Sequence, residues 1–264
     1  MNVVLPLRAE FGLKLWWFVP AVHAIDGPKV VYIEPGEEAL YPSADHLIEV
    51  DRQRDSLRRN RYMRDADFVR KIERHAAVTF PGAELVKPDG HWPRKRFVPR
   101  PFMPQGVTAD VVVCPRKRAY GAEKNWPHWV ALTEGLRAEG LNVFAGGVED
   151  SSFWVPCARA WDYGRGTDAT IEAILAARLV VATDAGLAHL AVLCGRPLLM
   201  ITHGEGIVAP GPVSDEHGHE MEPAYWPVKL ERYTEANHTG SPISVIYHAW
   251  ENVDVTIRAV LERC

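Results

Sequence analysis

Asp184, Gly186 and His189 stand at i, i+2 and i+5 within Thr183-Asp184-Ala185-Gly186-Leu187-Ala188-His189. An acid, a residue without a Cβ and an imidazole at this spacing suit the holding of a phosphorylated ligand. The carboxylate can hydrogen-bond hydroxyls or fix a turn. The glycine lets backbone approach an anion closely. The free N–H groups at the head of a following helix attract negative charge. A plainer reading stands beside this one: Asp184 caps the helix, and His189 is a satisfied interior histidine.

The flanking sequence must position these residues. Ile171, Ile174 and Leu175 recur at helical spacing, and Leu179-Val180-Val181-Ala182 is a short apolar run suited to a buried parallel strand. The turn Thr183–Gly186 then opens a helix from Leu187 to Leu193. Gly195 stops that helix, and Pro197 to Ile201 reads as the next strand. A turn between a parallel strand and a helix points its N–H groups into the crevice at the strand's C-terminal end, where phosphates bind.

A second block lies upstream. Val111 to Cys114 reads as a strand, followed by a loop with Arg116, Lys117, Arg118 and Lys124-x-Trp126-Pro127. A helix over Trp129–Glu139, a strand over Leu141–Ala145 and Gly146-Gly147 complete it. Together, D-x-G-x-x-H-x-A (Asp184, Gly186, His189, Ala191) with Gly195 and Pro197, and the Lys-x-Trp-Pro to Gly-Gly block, resemble the heptosyltransferase-like glycosyltransferases, glycosyltransferase family 9. The two blocks cover about 100 residues, mainly in the second half of the chain.

The resemblance implies an α/β, GT-B-like fold: two Rossmann-like halves with parallel sheets facing a cleft, the first half reduced. The expected domains are 1–104 on the acceptor side and 105–264 on the nucleotide-sugar side, with the C-terminal helix packing back on the first. The implied activity moves a sugar from a nucleotide-sugar donor to an acceptor hydroxyl, with inversion. Diphosphate and donor binding falls to Lys124, Arg116, Arg118, Asp184, Gly186, Leu187, His189, Glu149 and Gly204. For Arg116 to Arg118 a solvated basic loop is the alternative, and for Glu149 a surface turn. In the family the first turn carries an Arg, then Gly-Asp, whose Asp is a candidate base. Here Arg8 stands at the comparable place on the acceptor side, and Glu10 with Gly12 replaces the Gly-Asp pair. Glu10 is therefore the candidate general base, with helix capping or an ion pair as its other reading. No Asp-x-Asp motif marks a strand end, so no metal and no cofactor are expected. Cations and a helix head stabilise the leaving diphosphate instead.

Around these blocks the chain reads in order. Asn2–Leu7 is a strand, Leu13–Ile25 an apolar helix broken or kinked at Pro20, Val30–Ile33 a second strand, and Leu47–Val50 a third. Asp51 to His75 carries Arg52, Arg54, Arg58, Arg59, Arg61, Arg64, Arg70 and Arg74, interleaved with acids. It is either a solvated helix face or a patch for an anionic acceptor such as DNA or a phosphorylated glycan. His91 to Pro104, with Trp92, Arg94, Lys95, Arg96 and several prolines, reads as the linker between halves. Thr202 to Pro227 is a long loop whose His217, His219 and Glu220 lack a helical register, so a solvent-exposed loop is preferred to a metal site. Ile243–Ile246 is a short strand or turn. His248–Glu262 is an amphipathic helix with Val253, Ile257, Val260 and Leu261 inward.

A length of 264 residues and a net charge of −4 describe an ordinary globular chain with no global bias toward nucleic acid or membrane. Four scattered cysteines without a C-x-x-C pair, no signal-peptide pattern and no long apolar span point to a reducing, cytoplasmic setting. The acceptor is a glycan or a modified DNA base. The other function classes are a non-catalytic nucleotide or nucleotide-sugar binding protein, suggested by the missing Asp, and a nucleotide-sugar epimerase.

Overall fold

The computed structural model describes residues 1–7, 14–50, 66–88, 91–102, 104–117, 125–147, 152, 154–156, 167–202, 207–208, 213–214, 220–221, 225–226, 240–246 and 252–264. The chain divides into two compact units, Met1–Phe102 and Met103–Cys264.

The first unit is built on a parallel four-stranded sheet. Its strands are β1 (Asn2–Val4), β2 (Lys29–Ile33), β3 (His46–Glu49) and β4 (Glu84–Val86), in the order β3-β2-β1-β4. Val3, Val30 and Tyr32 are buried because β-branched and aromatic side chains fit a covered pleat. Between β1 and β2 runs a π-helical turn, Lys14–Phe18, continuing as α1 (Val19–Ala24). Pro20 falls in the first turn of α1, directly after the π-helical turn, so the helix expected to be broken or kinked there changes type just before the proline. After β3 the chain crosses back through α2 (Ala66–Thr79), whose Val69, Ile72 and Ala76 cover Val3, Leu5, Val30 and Tyr32. Tyr32 also hydrogen-bonds Nδ1 of His75 on α2, at 2.7 Å.

The segment His91–Phe102 has no regular secondary structure, yet it is fastened to this unit. The Lys95 N–H donates to the Pro20 carbonyl at 2.9 Å and the Arg100 N–H to the Ala39 carbonyl at 3.2 Å. Phe97 stacks on His23, with ring centroids 4.2 Å apart.

The second unit carries a parallel five-stranded sheet of β5 (Val111–Cys114), β6 (Val143–Ala145), β7 (Leu179–Thr183), β8 (Leu198–Ile201) and β13 (Ile243–Ile246), ordered β13-β8-β7-β5-β6. Strands β5 to β8 are buried at every residue, as continuous apolar strands between helices should be. Helix α3 (Trp129–Ala138) follows β5. Helix α4 (Asp168–Ala176) precedes β7, and α5 (Gly186–Leu193) joins β7 to β8. Gly195, at φ 69°, ends α5 in the left-handed region that favours glycine.

Two expectations change here. The stretch Thr202–Pro227, expected as a loop, contains two short antiparallel pairings: β9 (Ile207–Val208) with β12 (Tyr225–Trp226), and inside it β10 (Val213–Ser214) with β11 (Glu220–Met221). Strands of two residues are too short for any periodicity to reveal. In α6 (Val253–Leu261), Leu261 is exposed and Thr256 takes an inward place beside Val260. The helix starts later than its apolar pattern suggested, with Asn252 accepting the Asp254 N–H as its N-cap. Within its own unit α6 lies on α3 so closely that a Cβ on Gly135 would fall 2.5 Å from Ile257 Cδ1.

Candidate functional site

The second sheet has a topological switch point. From β5 the chain moves outward to β6, then returns to lay β7 on the other side of β5. Connections leaving β5 and β7 therefore diverge, and a crevice opens beyond the C-terminal ends of these two strands. The residues singled out from sequence fall at this point. Arg116 lies two residues past β5, and Asp184-Ala185-Gly186 follows β7.

The β7 end combines buried and half-exposed groups. Thr183 is 1% exposed, and its Oγ1 finds no hydrogen-bond partner among the described residues. A buried hydroxyl without a partner costs free energy, and such a cost is tolerated where a ligand or water can reach the group. Asp184 and Gly186 are half-buried. The N-cap of α5 is Ala185, with extended backbone and no side-chain cap, so Asp184 does not hold the N-cap position. The first carbonyl of the helix, Ala185 O, accepts from Ala188 N–H at 3.0 Å and His189 N–H at 3.4 Å. The N–H groups of Gly186 and Leu187 lie in the first turn, ahead of any intrahelical acceptor. The Leu187 side chain is buried, so only its backbone N–H is placed at the head of the helix. His189 is also buried, 8% exposed, one turn into the helix.

At the β5 end the reading of Arg116 as a solvated basic loop fails. The residue is 8% exposed, and its Nη1 donates to Asn125 Oδ1 at 2.6 Å. A backbone bridge to Ser152 holds the same residue. Lys117 is exposed. Gly146-Gly147, at the end of β6, has a packing role. A Cβ on Gly146 would stand 2.9 Å from Thr170 Cγ2 and 3.2 Å from Val112 Cγ1. The Gly147 N–H donates to Thr170 Oγ1 at 3.1 Å, and the Thr170 hydroxyl lies 3.3 Å from the Gly147 carbonyl. Gly146 lets α4 sit down on the sheet, and the Gly147 backbone ties to it. Arg8, Glu10, Arg118, Lys124, Glu149 and Gly204 lie outside the described residues.

Sequence reading missed a cluster of charges at the C-terminal end of the first sheet. Lys14 Nζ stands 2.8 Å from Glu37 Oε1 and 3.0 Å from Glu34 Oε1. The Lys14 and Glu37 side chains are buried, and that of Glu34 is about a quarter exposed. Burial alone would lower the Lys14 pKa, but Glu37 and Glu34 outweigh it, so the ammonium is held above its ordinary value. Glu37, desolvated and beside Glu34, is pushed up despite Lys14. Burial, Glu37 and Glu34 likewise drive the Tyr41 phenol well above its usual range. The signal for this cluster was a lone lysine in the apolar run after Gly12, opposite Glu34-Pro35-Gly36-Glu37.

Among the described residues no trio of His, Cys, Asp or Glu is arranged to hold a metal ion, and no helix is long and apolar enough to cross a membrane. Cys114, Cys194 and Cys264 are free thiols. Burial pushes Cys114 up to about 12 and Cys194 higher still, so neither is a reactive thiolate at neutral pH.

No family model matches this sequence, and no curated protein does. Solved structures do match. The ADP-heptose lipopolysaccharide heptosyltransferase II of E. coli is 16% identical, with a TM-score of 0.54 over 100% of this chain and 97% of its own. The E. coli heptosyltransferase WaaC, bound to ADP-2-deoxy-2-fluoro heptose, is 14% identical, with a TM-score of 0.54 over 100% of both chains. A glycosyl transferase family 9 protein of Veillonella parvula is 11% identical, with a TM-score of 0.52 over 99% of this chain and 95% of its own. At such identities the likeness establishes the fold, which is that of the GT-B-like heptosyltransferases.

Proposed function

We propose that the chain is a glycosyltransferase that binds a nucleotide sugar at the β5/β7 switch point. The observation that carries this reading is the coincidence of three features at one sheet end: the Asp184-x-Gly186 turn, the head of α5 with Ala185 as its N-cap, and the buried hydroxyl of Thr183, which has no partner among the described residues. The full-length fold match to heptosyltransferases supports it, since one of those enzymes is bound to an ADP-sugar analogue.

In the proposed reaction the acceptor oxygen attacks the anomeric carbon as the bond to the diphosphate breaks. The acceptor proton passes to Glu10, and the configuration inverts. The departing diphosphate gathers negative charge, which the N–H groups of Gly186 and Leu187, Lys124 and Arg116 stabilise without a metal. Asn125 orients Arg116 for this task. Arg118, Glu149, His189 and Gly204 complete the donor site, and Arg8 stands on the acceptor side. The acceptor is a glycan or a modified DNA base.

The test is a thermal-shift screen against nucleoside diphosphates and nucleotide sugars, with and without EDTA. Stabilisation by one nucleotide class, insensitive to EDTA and lost in Lys124→Ala, is the expected result; binding to the native state alone raises the melting temperature. A flat response to every nucleotide would sink the reading. Binding without transfer is the second reading, favoured by the absence of an Asp beside Gly12. Unchanged turnover in Glu10→Gln would remove Glu10 from the mechanism.

A further inference from the structure

From Gly90 to Ala109 the chain carries Arg94, Lys95, Arg96 and Arg100 and not one carboxylate, within a protein of net charge −4. All four cations are exposed. A tract of this kind is ordinarily a mobile, solvated loop, but here the backbone is fixed. Two hydrogen bonds fasten it at Lys95 and Arg100, Phe97 is stacked on His23, and Pro99 is buried. Pro93, Pro99 and Pro101 stiffen it further. The cations are therefore displayed along a fixed extended strap, so ordering them on binding costs little.

Lys95 also bears on two buried neighbours. Lys29 has its pKa lowered, first by burial and then by Lys95, against the opposing pull of Asp26 and Asp45. His23 is also pushed down, mainly by burial, with Lys29 and Lys95 adding to it. Aromatic groups punctuate the strap as well. Trp92 is half-buried near its start, and Phe102 is 65% exposed at its end. Fixed cations with an exposed ring at one end fit a chain of phosphates carrying unstacked bases. A duplex groove would call for a helix or a β-ribbon, and the strap is neither.

We propose that His91–Phe102 is a binding surface for a single strand of nucleic acid, its cations on the phosphates and Phe102 against a base. This surface is independent of the donor site and stands or falls without it.

The experiment is fluorescence anisotropy of a labelled 20-nucleotide single-stranded DNA with the full chain, over a range of salt concentrations. Affinity should fall linearly with salt on a log–log plot, at about −0.7 per phosphate neutralised. The combined Arg94→Gln, Lys95→Gln, Arg96→Gln and Arg100→Gln variant should bind at least ~10-fold more weakly, its slope shallower by about 3. Phe102→Ala should weaken binding about 5-fold or more and leave the slope unchanged. The melting temperature of each variant checks that the fold is intact. No binding by the native chain at low salt overturns the proposal. So does an undiminished affinity in the quadruple variant, which would move the site to the arginines of 52–64. Equal binding of a duplex with no Phe102 effect, or preference for a sulfated glycan over DNA, also overturns it.

Discussion

At the end of the first sheet Lys14 lies buried between Glu37 and Glu34; at the end of the second, the buried Thr183 Oγ1 and the first N–H groups of α5 follow apolar strand β7. The same architectural position is thus filled in two ways. In the first unit the charges neutralise one another within the protein, and Glu34 alone remains partly open. In the second the proposed binding capacity resides in backbone dipoles, a hydroxyl and an arginine hydrogen-bonded to Asn125. A buried ion pair answers to its own partners, whereas an uncapped helix head is answered from outside. The contrast sets a cluster that answers to its own charges at the first sheet end against the proposed ligand site at the second.

The largest effect that tests this contrast is expected from Lys14→Ala. It leaves Glu37 buried without its cation and should cost about 3–5 kcal/mol in denaturant unfolding. Replacing the pair together, Lys14→Met with Glu37→Leu, should cost much less. A loss below about 1 kcal/mol in Lys14→Ala would mean that the cluster is effectively solvated, and the contrast would break.

Acid should act next on the first unit, through His23. A carbonyl only accepts, so Nε2–H must donate to Leu40 O, at 2.9 Å, while Nδ1 lies 2.8 Å from the Ser43 hydroxyl, which donates to it when the ring is neutral. Burial above all lowers its pKa from 6.5 to about 4, so the ring is neutral at neutral pH. The folded state thus takes up a proton less readily than the unfolded chain. The stability is fully present above pH 6.5 and is lost as pH falls toward 4, by up to about 3 kcal/mol over that window. Unfolding curves at stepped pH measure it, and His23→Gln should flatten that part of the profile. An unchanged profile would place the acid-sensitive group elsewhere.

Two glycines separate packing from binding in the second unit. Gly146→Ala should cost about 1–3 kcal/mol, because its Cβ meets both Thr170 and Val112 at less than ordinary contact distance. A nucleotide diphosphate should still bind the folded variant. Gly186→Val should do the reverse. Unfolding without ligand should change little, while diphosphate affinity falls about 10-fold, removing about 1.4 kcal/mol of ligand-induced stabilisation. Equal binding in both variants, measured by calorimetry, would detach the head of α5 from the site.

Much of the second unit was legible in the sequence. Leu179–Thr183 and Val111–Cys114 are β-branched runs bounded by turn residues, and covered parallel strands leave that imprint because both faces must be apolar. The Asp184–Gly186 turn was legible because helix heads and glycine follow local backbone rules. Strand β4 was not foreseen: Glu84 and Leu85 are exposed, and Val86 alone is buried. What makes it a strand is pairing with Asn2–Val4, some 80 residues away. The partner of Lys14 was hidden for the same reason, since Glu34 and Glu37 arrive from the next strand's end.

By itself the sequence determined the alternation of strands and helices, the turns between them and the chemical types at the second sheet's end, because periodicity and backbone preference are local. Tertiary structure alone decided the strand orders and hence the β5/β7 switch point. It buried Arg116, sealed Lys14 among carboxylates and fastened the proline-rich strap along the first unit. Each of these depends on groups far apart in the chain meeting in a low-dielectric or close-packed setting, where desolvation and contact, rather than local preference, set the outcome.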